Sequence, residues 1–470
     1  MIRLRSSEIV PTGFVVVSDS ELGRARSMTA DNSPTHVAPP EAAHRVSVLF
    51  LAKQFPWPLN VGSRQRVFHL IKGIAASHDV ITIAYDALPS THELNAFASA
   101  SGCRQTTVVP RSTTDTKAEQ TTSIARLFSR AARGARVIKS LVGSPLPAFA
   151  RDLWSDSLVS AIKQTARENS IDVVYATQSW MAEHARAAGL GAIMVDVDDL
   201  ISLMSRQLLA SVPWGVRKPL RLLEAAKDVS YERSLPQRFS HVVVAKAEDQ
   251  EFFRPEARSR VSVIPNGITI RSAPLPQPAV ADHLLFVGTL GYEPNIDAVR
   301  WFATEALPLI WQHRPDVRLD VAGFGSGAAL REVLSDSRCA LHESPPDLTP
   351  LYARAAVVIA PVRIGGGTRI KILEALANGR AMVSTAFAAE GLSLRGGTDI
   401  EFADSPGAIA ALCVALLGDE SRRRALAASG RARVAEQFDW ERIERRLPKL
   451  ITDFVDERTA IAGRPAAARG

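Results

Sequence analysis

The sequence is poor in cysteine, in aromatic residues and in long apolar runs. Only three cysteines, Cys103, Cys339 and Cys413, occur in 470 residues, and they lie far apart. An odd, scattered set argues against a disulfide framework or a zinc site and is typical of a reducing compartment. No apolar stretch approaches the ~18–20 residues that span a bilayer. We therefore expect a soluble protein of the cytoplasm, or one attached peripherally to the inner face of the membrane.

The chain also lacks a strong charge excess. Its formal net charge is +7 and its pI about 9.5, which is mild for this length. Such a charge permits contact with anionic lipid or phosphorylated substrates. No nucleic-acid-binding module is recognisable, so we expect no nucleic-acid partner. A hydrophobic content of 46% provides for sizeable cores, and 470 residues favour two domains.

Apolar runs alternate with helical patterns along most of the chain. RVSVLFLA (45–52), a helical pattern at 63–77 and DVITIAY (79–85) follow one another as in a βαβ unit. The alternation predicts an α/β fold of two doubly wound units, with a helix near 296–312. The other predicted strands are 171–177, 191–198, 241–248, 260–268, 283–290, 317–325, 356–362 and 381–385.

Changes in composition suggest the domain boundaries. The proline-rich segment RSAPLPQPAV (271–280) is predicted to be a hinge. The segment 437–457 carries one apolar stripe, which predicts an amphipathic helix kinked at Pro448. The predicted parts are a poorly ordered extension (1–44), an N-terminal domain (45–270), a linker (271–281), a C-terminal domain (282–436), the helix 437–457 packing back on the N-terminal domain, and a disordered tail (458–470).

One stretch, RIGGGTRIKILEALANG (363–379), combines features of an anion site. Gly365, Gly366 and Gly367 remove side chains from the backbone just before a helix predicted to begin near Thr368. Amide groups and the positive end of the helix dipole suit a phosphate there. Lys371 and Glu374 lie at i and i+3, so they share a face that could meet phosphate and ribose hydroxyls. The alternative is a simple chain turn followed by a solvated ion pair.

The same stretch resembles the donor-site segment of family 4 GT-B glycosyltransferases, the glycosyl transferases group 1. In particular it is similar to a GGGTR-x-K-x-x-E-A subgroup of bacterial exopolysaccharide-type sugar transferases. The segments LFVGTLGYEPNIDAVRWF (285–302), VAGFGSG (321–327) and VSVIPNGI (261–268) resemble other parts of the family in order and spacing. The resemblance covers about 46–456 and is strongest in 283–392.

The resemblance implies a retaining glycosyltransferase with two Rossmann-like domains facing across a cleft. It implies a nucleotide-diphosphate sugar as donor, a glycan or lipid-linked acceptor, and no metal or other cofactor. Arg369 and Lys371 correspond to cations at the diphosphate, and Glu374 to the ribose-binding glutamate. The remaining predicted substrate-binding residues are Gly62, Gly288, Thr289, Asn295, Gly365, Gly366, Gly367 and Thr368.

Two departures from the family pattern affect the sugar site. Gly366 occupies the position of a glutamate that contacts the donor sugar in many members. The family's histidine after the fifth strand is absent, and MVDVDD (194–199) stands there instead. We expect an aspartate of this run to cap the next helix or to serve the acceptor site, in preference to binding a metal. His184 is a possible substitute for the missing histidine, but a lone helical histidine is more often a bystander.

A basic stretch, IARLFSRAARGARVIKS (124–140), carries five cations and no acid. It is either a helix attracted to an anionic membrane surface or an ordinary surface helix with a solvated basic side. The segment 212–223, which contains Trp214, favours membrane proximity.

Two other functions remain open at this stage. A catalytically silent nucleotide-sugar-binding scaffold is compatible with Gly366 and the missing histidine. A sugar-nucleotide epimerase of the same fold would need cleft carboxylates and a base that the sequence does not identify.

Overall fold

The computed structural model describes residues 45–111, 146–203, 205, 218–365 and 369–462. The predicted extension 1–44 and the basic stretch 124–140 lie outside these residues, as do 212–217 and 463–470. Among the described helices, none is both long and apolar enough to cross a membrane.

The fold is α/β, with two parallel sheets, as the alternating pattern predicted. The strands are β1 (Ser47–Ala52), β2 (Asp79–Asp86), β3 (Gln105–Pro110), β4 (Val173–Thr177), β5 (Ile193–Val197), β6 (His241–Val244), β7 (Val261–Val263), β8 (His283–Val287), β9 (Arg318–Gly323), β10 (Cys339–Glu343), β11 (Val357–Ala360), β12 (Ala381–Ser384) and β13 (Glu401–Phe402). One sheet has the order β3-β2-β1-β4-β5-β6-β7 and the other β10-β9-β8-β11-β12-β13. Both orders are those of doubly wound sheets, with switch points between β1 and β4 and between β8 and β11.

Helices connect the strands and cover the sheets. Their bounds are Gly62–Ala75, Thr91–Ser101, Ala148–Asp152, Asp156–Glu168, Ser179–Ala187, Lys218–Arg233, Leu235–Arg238, Ala247–Glu251, Glu293–Trp301, Leu307–His313, Thr349–Arg354, Ile370–Ala377, Pro406–Gly418, Glu420–Gln437, Trp440–Glu444 and Leu447–Ala462. The helix predicted near 296–312 is interrupted by a π-helical turn at Phe302–Ala306. Several ends carry the expected caps, such as the capping box of Ser90 and Glu93.

The chain folds into two compact units whose boundaries differ from the predicted ones. The first unit comprises residues up to Asp196, 237–242 and the residues from Arg446 onward. The second comprises 197–236 and 243–445. Residues after β5 belong to the second unit because of contacts such as the hydrogen bond from Asn266 Nδ2 to Asp198 Oδ1, 2.8 Å long.

The C-terminal segment forms two helices instead of one kinked helix. Trp440–Glu444 ends before Leu447–Ala462 begins, and Pro448 lies in the first turn of the second helix, where proline is tolerated. This second helix packs on the helix Gly62–Ala75 of the first unit, and the Pro448 carbonyl lies 2.9 Å from His78 Nε2. It continues through 462, so the prediction of a disordered tail from 458 is wrong for residues 458–462.

The predicted hinge is fastened to the second unit along residues 271–277. Arg380 is fully buried and donates hydrogen bonds to the carbonyls of Leu275 (2.5 Å) and Pro276 (2.6 Å). The Leu275 amide donates to Asn378, and the Gln277 side chain donates to Gly379, both over 3.1 Å. This segment is therefore held by side chains and backbone at the end of the helix Ile370–Ala377, where a free hinge would have few such contacts.

A buried ion pair fixes the end of β5 in the first unit. Arg66 donates to Asp196 from Nε (3.1 Å) and Nη2 (2.8 Å), and both side chains are only 2% exposed. Asp196 also lies near the buried Tyr175 hydroxyl, whose pKa burial and this carboxylate raise well above its ordinary value. Because both charges are withdrawn from water, each depends on the other for its solvation.

We expect Arg66→Met to lower the free energy of unfolding by about 3–5 kcal/mol, because the buried Asp196 would lose the two hydrogen bonds and the positive charge that Arg66 supplies. Chemical denaturation at pH 7 measures this loss. The double variant Arg66→Met with Asp196→Leu removes both charges and should recover most of it. Equal destabilisation in the single and double variants would contradict the interpretation of this pair as a mutual charge compensation.

Candidate functional site

The predicted donor-site residues gather at the switch point of the second unit's sheet. The loops after β8 and β11 leave the carboxyl ends of these adjacent strands, which is where open α/β sheets bind ligands. Gly288 and Thr289 begin the first loop, and Gly365 lies in the second. Gly365 has φ of +108°, and an added Cβ would lie 2.8 Å from Pro294 Cγ. The two loops thus approach closely because Gly365 has no side chain.

Asn295 links the first loop to the helix Ile370–Ala377, which we call the Lys371 helix. The Asn295 side chain packs on Gly288 so tightly that a Cβ there would lie 2.8 Å from Nδ2. Nδ2 donates to the Thr289 carbonyl over 2.9 Å, and Oδ1 accepts from Lys371 Nζ over 2.5 Å. Both ends of the buried amide are therefore used within the protein.

Lys371 is a half-buried cation in an uncharged setting. Its Nζ lies 4.7 Å from the centre of the Phe286 ring, in addition to its contact with Asn295. Burial, with a smaller effect from the nearby Arg369 cation, lowers the pKa of Lys371 to about 7. No carboxylate of the described residues lies within 4.0 Å of Nζ. A desolvated cation of this kind favours an anionic ligand.

Glu374 lies one turn further along the Lys371 helix. Burial raises the pKa of its carboxyl to about 7, while the neighbouring Tyr352 hydroxyl acts in the opposite direction. Tyr352 is itself buried, from the helix Thr349–Arg354. The other face of the Lys371 helix, which includes Ile372, Leu373 and Leu376, is buried against the sheet. The helix begins at Ile370, two positions after the predicted start, and Arg369 is its N-cap residue.

Arg369 lies beside the start of this helix and faces a cavity. Its side chain is only 9% exposed and forms an ion pair with Glu390 over 3.3 Å, while its guanidinium lies 5.1 Å from the Phe387 ring centre. Burial lowers its pKa, and the charges of Glu390, Asp199 and Asp249 oppose this shift. Unlike Lys371, Arg369 thus has a carboxylate partner, although that partner is half exposed.

The cavity beside Arg369 lies within the second unit, is small and is partly open to solvent. Its lining combines charged and amide side chains with apolar ones: Asp198, Asp199, Ala245, Lys246, Pro265, Asn266, Arg369, Leu373, Gly391, Leu392 and Phe438. Carboxylates, an amide and cations together suit a ligand with several hydroxyls and an anionic group.

The aspartates at the end of β5 and directly after it have different surroundings. Asp196 is committed to Arg66, whereas Asp198 and Asp199 line the cavity. The next helical turn is capped from elsewhere, because Glu232 accepts hydrogen bonds from the amides of Ile201 (2.8 Å) and Ser202 (3.0 Å). For these two amides the expected aspartate cap is wrong. Across the described residues, no three His, Cys, Asp or Glu side chains form a group able to hold a metal ion.

Several predicted residues lie elsewhere or outside the described residues. Gly62 is the first residue of the helix Gly62–Ala75 in the first unit, after the loop that follows β1. Gly366, Gly367 and Thr368 are among the residues that the structure does not describe. His184 is buried, with Nδ1 2.7 Å from the Trp180 carbonyl and Nε2 accepting from the Ser155 amide over 2.9 Å. This arrangement agrees with its interpretation as a structural bystander.

Sequence reasoning missed Tyr352, Lys246, Asn266 and Glu390 as neighbours of the site. Asn266 lies in the quoted stretch VSVIPNGI and could have been singled out there. The other three had no local signal, since each reaches the site only through tertiary packing.

We find a second unforeseen feature at the switch point of the first sheet, where Gln178 has φ of +77° directly after β4. Positive φ at a residue other than glycine stores strain and is enriched at ligand sites.

Comparison with known proteins finds a glycosyltransferase family over part of the chain. Residues 281–419 match the family model described as "Glycosyl transferases group 1". An uncharacterized 44.6 kDa protein in the cps region of Klebsiella pneumoniae is 28% identical over 130 residues, 26% of this chain and 34% of that protein. Glycogen synthase of Mycobacterium tuberculosis is 27% identical over 254 residues, 51% of this chain and 56% of the enzyme. The chain thus spans about a third and about half of the lengths of these relatives.

Solved structures share the fold over most of the chain. Sucrose-phosphate synthase from Thermosynechococcus elongatus is 14% identical with a TM-score of 0.60, covering 88% of this chain and all of that one. HepE of Anabaena, solved with UDP and glucose, is 14% identical with a TM-score of 0.55, covering 87% of this chain and all of that one. Likeness at such identities is a likeness of fold. The chain therefore has the GT-B fold, and its residues 281–419 match the glycosyl transferases group 1.

Proposed function

We propose that this protein is a retaining glycosyltransferase that moves a sugar from a nucleotide-diphosphate sugar to a glycan or lipid-linked acceptor. The observation that carries the proposal is the half-buried Lys371 ammonium at the start of its helix, with Arg369 beside it and, among the described residues, no carboxylate within 4.0 Å of Lys371 Nζ. A diphosphate would supply the negative charge that balances these two cations.

The positions of the charged groups match the parts of such a donor. Lys371 and Arg369, at the start of the helix Ile370–Ala377, are the cations proposed to meet the diphosphate, and Glu374, one turn later, is proposed to accept hydrogen bonds from ribose hydroxyls. The cavity lined by Asp198, Lys246 and Asn266 offers polar partners for a sugar ring next to Arg369. Solved proteins of the same fold were crystallised with UDP and glucose or with UDP and GlcNAc.

The chemistry requires charge stabilisation more than proton transfer to the leaving group. When the bond between the anomeric carbon and the β-phosphate oxygen breaks, negative charge accumulates on the diphosphate. Preorganised cations stabilise that charge without reorganising during the reaction, and losing one such group costs about 2.7–4 kcal/mol of barrier. We propose that Arg369 and Lys371 perform this role, so that no metal is required.

The biological setting is proposed from the relatives. The Klebsiella relative is described as a protein of a cps region, and the name of the second relative, glycogen synthase, denotes an enzyme that makes a glucan. A role in polysaccharide or cell-envelope biosynthesis on the cytoplasmic side of the membrane is consistent with both. Membrane contact through 124–140 remains a prediction, because these residues lie outside those described.

We expect Lys371→Met to lower kcat about 100- to 1,000-fold, because one preorganised cation is lost from the departing diphosphate. Nucleotide release over a panel of UDP-, GDP-, ADP- and dTDP-sugars, with glycan and lipid-linked acceptors, measures this. Lys449→Met is the matched control, since Lys449 is 79% exposed and pairs with Asp453.

The same panel separates the alternative functions. Tight nucleotide binding by the unaltered protein, with neither transfer nor hydrolysis from any donor, would replace the transferase by a binding scaffold. Interconversion of two nucleotide sugars without an acceptor would identify an epimerase.

We expect the affinity for UDP-glucose to fall as pH rises above about 7, by up to about tenfold per pH unit. Lys371 with a pKa of about 7 is charged below that pH and neutral above it, and only the charged form attracts the donor. The phosphates of UDP-glucose do not titrate in this range, so titration calorimetry between pH 6 and 9 reports on the protein.

Two variants isolate the contribution of Lys371 to this profile. Lys371→Arg keeps its charge and should remove the fall in affinity above pH 7. Glu374→Gln removes the carboxyl that also loses its proton near pH 7. Ionisation of this carboxyl is expected to change the donor affinity in the direction opposite to that of Lys371. A profile that is unchanged in Lys371→Arg would assign the pH dependence to another group.

A further inference from the structure

Asn295 uses each end of its buried side-chain amide in a hydrogen bond to the protein itself. Its Nδ2 donates to the Thr289 carbonyl, and its Oδ1 accepts from Lys371 Nζ. The side chain is 6% exposed and lies against the bare Cα of Gly288. A residue whose amide is committed on both sides acts on its protein neighbours.

The contact is long-range, joining positions 76 residues apart on different elements. Asn295 belongs to the first turn of the helix Glu293–Trp301. Its backbone amide donates a hydrogen bond to the Tyr292 carbonyl over 2.9 Å. Its backbone is thus fixed by the start of that helix, and the Oδ1 position follows from it. Lys371 has a long flexible side chain whose ammonium would otherwise sample many positions.

We propose that Asn295 is a positioning residue that holds the Lys371 ammonium in place through its uncharged amide oxygen. The role of this contact in donor binding rests on the proposed function, whereas the contact itself does not. An aspartate of the same shape would hold the ammonium equally well. It would also stabilise the charged form of Lys371 and place a negative charge beside the proposed diphosphate, which would weaken binding of the donor.

The groups facing Lys371 from the packed elements support this view. Asn295 from the helix Glu293–Trp301 and Phe286 from β8 face Nζ without a charge. On its own helix and N-cap, Arg369 acts as a like charge, and Glu374 interacts with Tyr352. Within the described part of the chain, Asn295 is thus the neutral polar group in contact with Lys371.

The proposal is tested by measuring the ionisation of Lys371 directly. Trace acetic anhydride acetylates only the free amine, so the acetylation rate of Lys371 as a function of pH, followed by peptide mass spectrometry, gives its titration midpoint. We expect Asn295→Asp to move this midpoint upward by about one to three pH units, because a carboxylate would replace an amide oxygen in contact with Nζ. Gln312→Glu adds the same charge at an exposed position of the second unit and should leave the midpoint unchanged.

A second variant distinguishes positioning from a purely structural role. Asn295→Ala removes the acceptor, so Lys371 should acetylate at least several-fold faster at pH 6, while circular dichroism and the melting curve report whether the fold is kept. Unchanged midpoints and rates in both Asn295 variants would overturn the proposal. The acetylation experiment uses no donor, so it can succeed even if UDP-glucose and the other nucleotide sugars fail to bind, which would refute only the proposed function.

Discussion

The ammonium of Lys371 is partly withdrawn from water, and no carboxylate in the described part of the chain is close enough to replace its hydration. An amide oxygen and an aromatic face are its partners, and neither cancels its charge. Desolvating a cation is costly, so the free protein lowers the cost by letting the group lose its proton near neutral pH. A bound diphosphate would remove the cost altogether. The site is therefore less favourable empty than filled, which is a physical reason for expecting an anion there.

The close approach of backbone segments makes this arrangement possible. An added Cβ on Gly323, which has φ of +154°, would lie 1.8 Å from the Gly288 carbonyl oxygen, so the ends of β8 and β9 meet without any side chain between them. Gly288 in turn leaves the space that Asn295 occupies, and Gly365 leaves the space for Pro294. Three glycines, one at the end of β9 and two in the loops after β8 and β11, thus set the geometry in which one lysine is held.

The sequence predicted the fold class and the anion-site helix well because both depend on local patterns. Strands such as β1, β8 and β11 are continuous apolar runs, and Lys371 and Glu374 follow a glycine run at helical spacing. It missed β3 and β10, whose residues QTTVVP and CALHE mix polar and apolar side chains, and β13, which has two residues. The contacts of Lys371 could not be foreseen because Asn295 and Phe286 are brought to it by tertiary packing.

The unit boundaries and the attachment of the predicted hinge could not be derived from local sequence patterns. A proline-rich segment considered alone suggests a flexible linker, because it lacks the helix or strand periodicity that would predict packing on a neighbouring element. Its attachment depends on Arg380, which the sequence places at the beginning of a buried strand, where a charge would be unexpected. A buried guanidinium needs several acceptors, and the carbonyls of Leu275, Pro276 and Ala355 supply them.

The fastening of residues 271–277 has a consequence for how this protein can vary in length. Arg431 bonds both to the Arg271 carbonyl and to the carbonyl of Ala377, the last residue of the Lys371 helix. An added Cβ on Gly379 would meet Pro274 at 2.6 Å. An extra residue inserted within this segment would break bonds at the rear of the lysine-bearing helix, whereas one inserted near the exposed Val280 would not. Related chains should therefore keep a constant number of residues in the first stretch and tolerate insertions in the second.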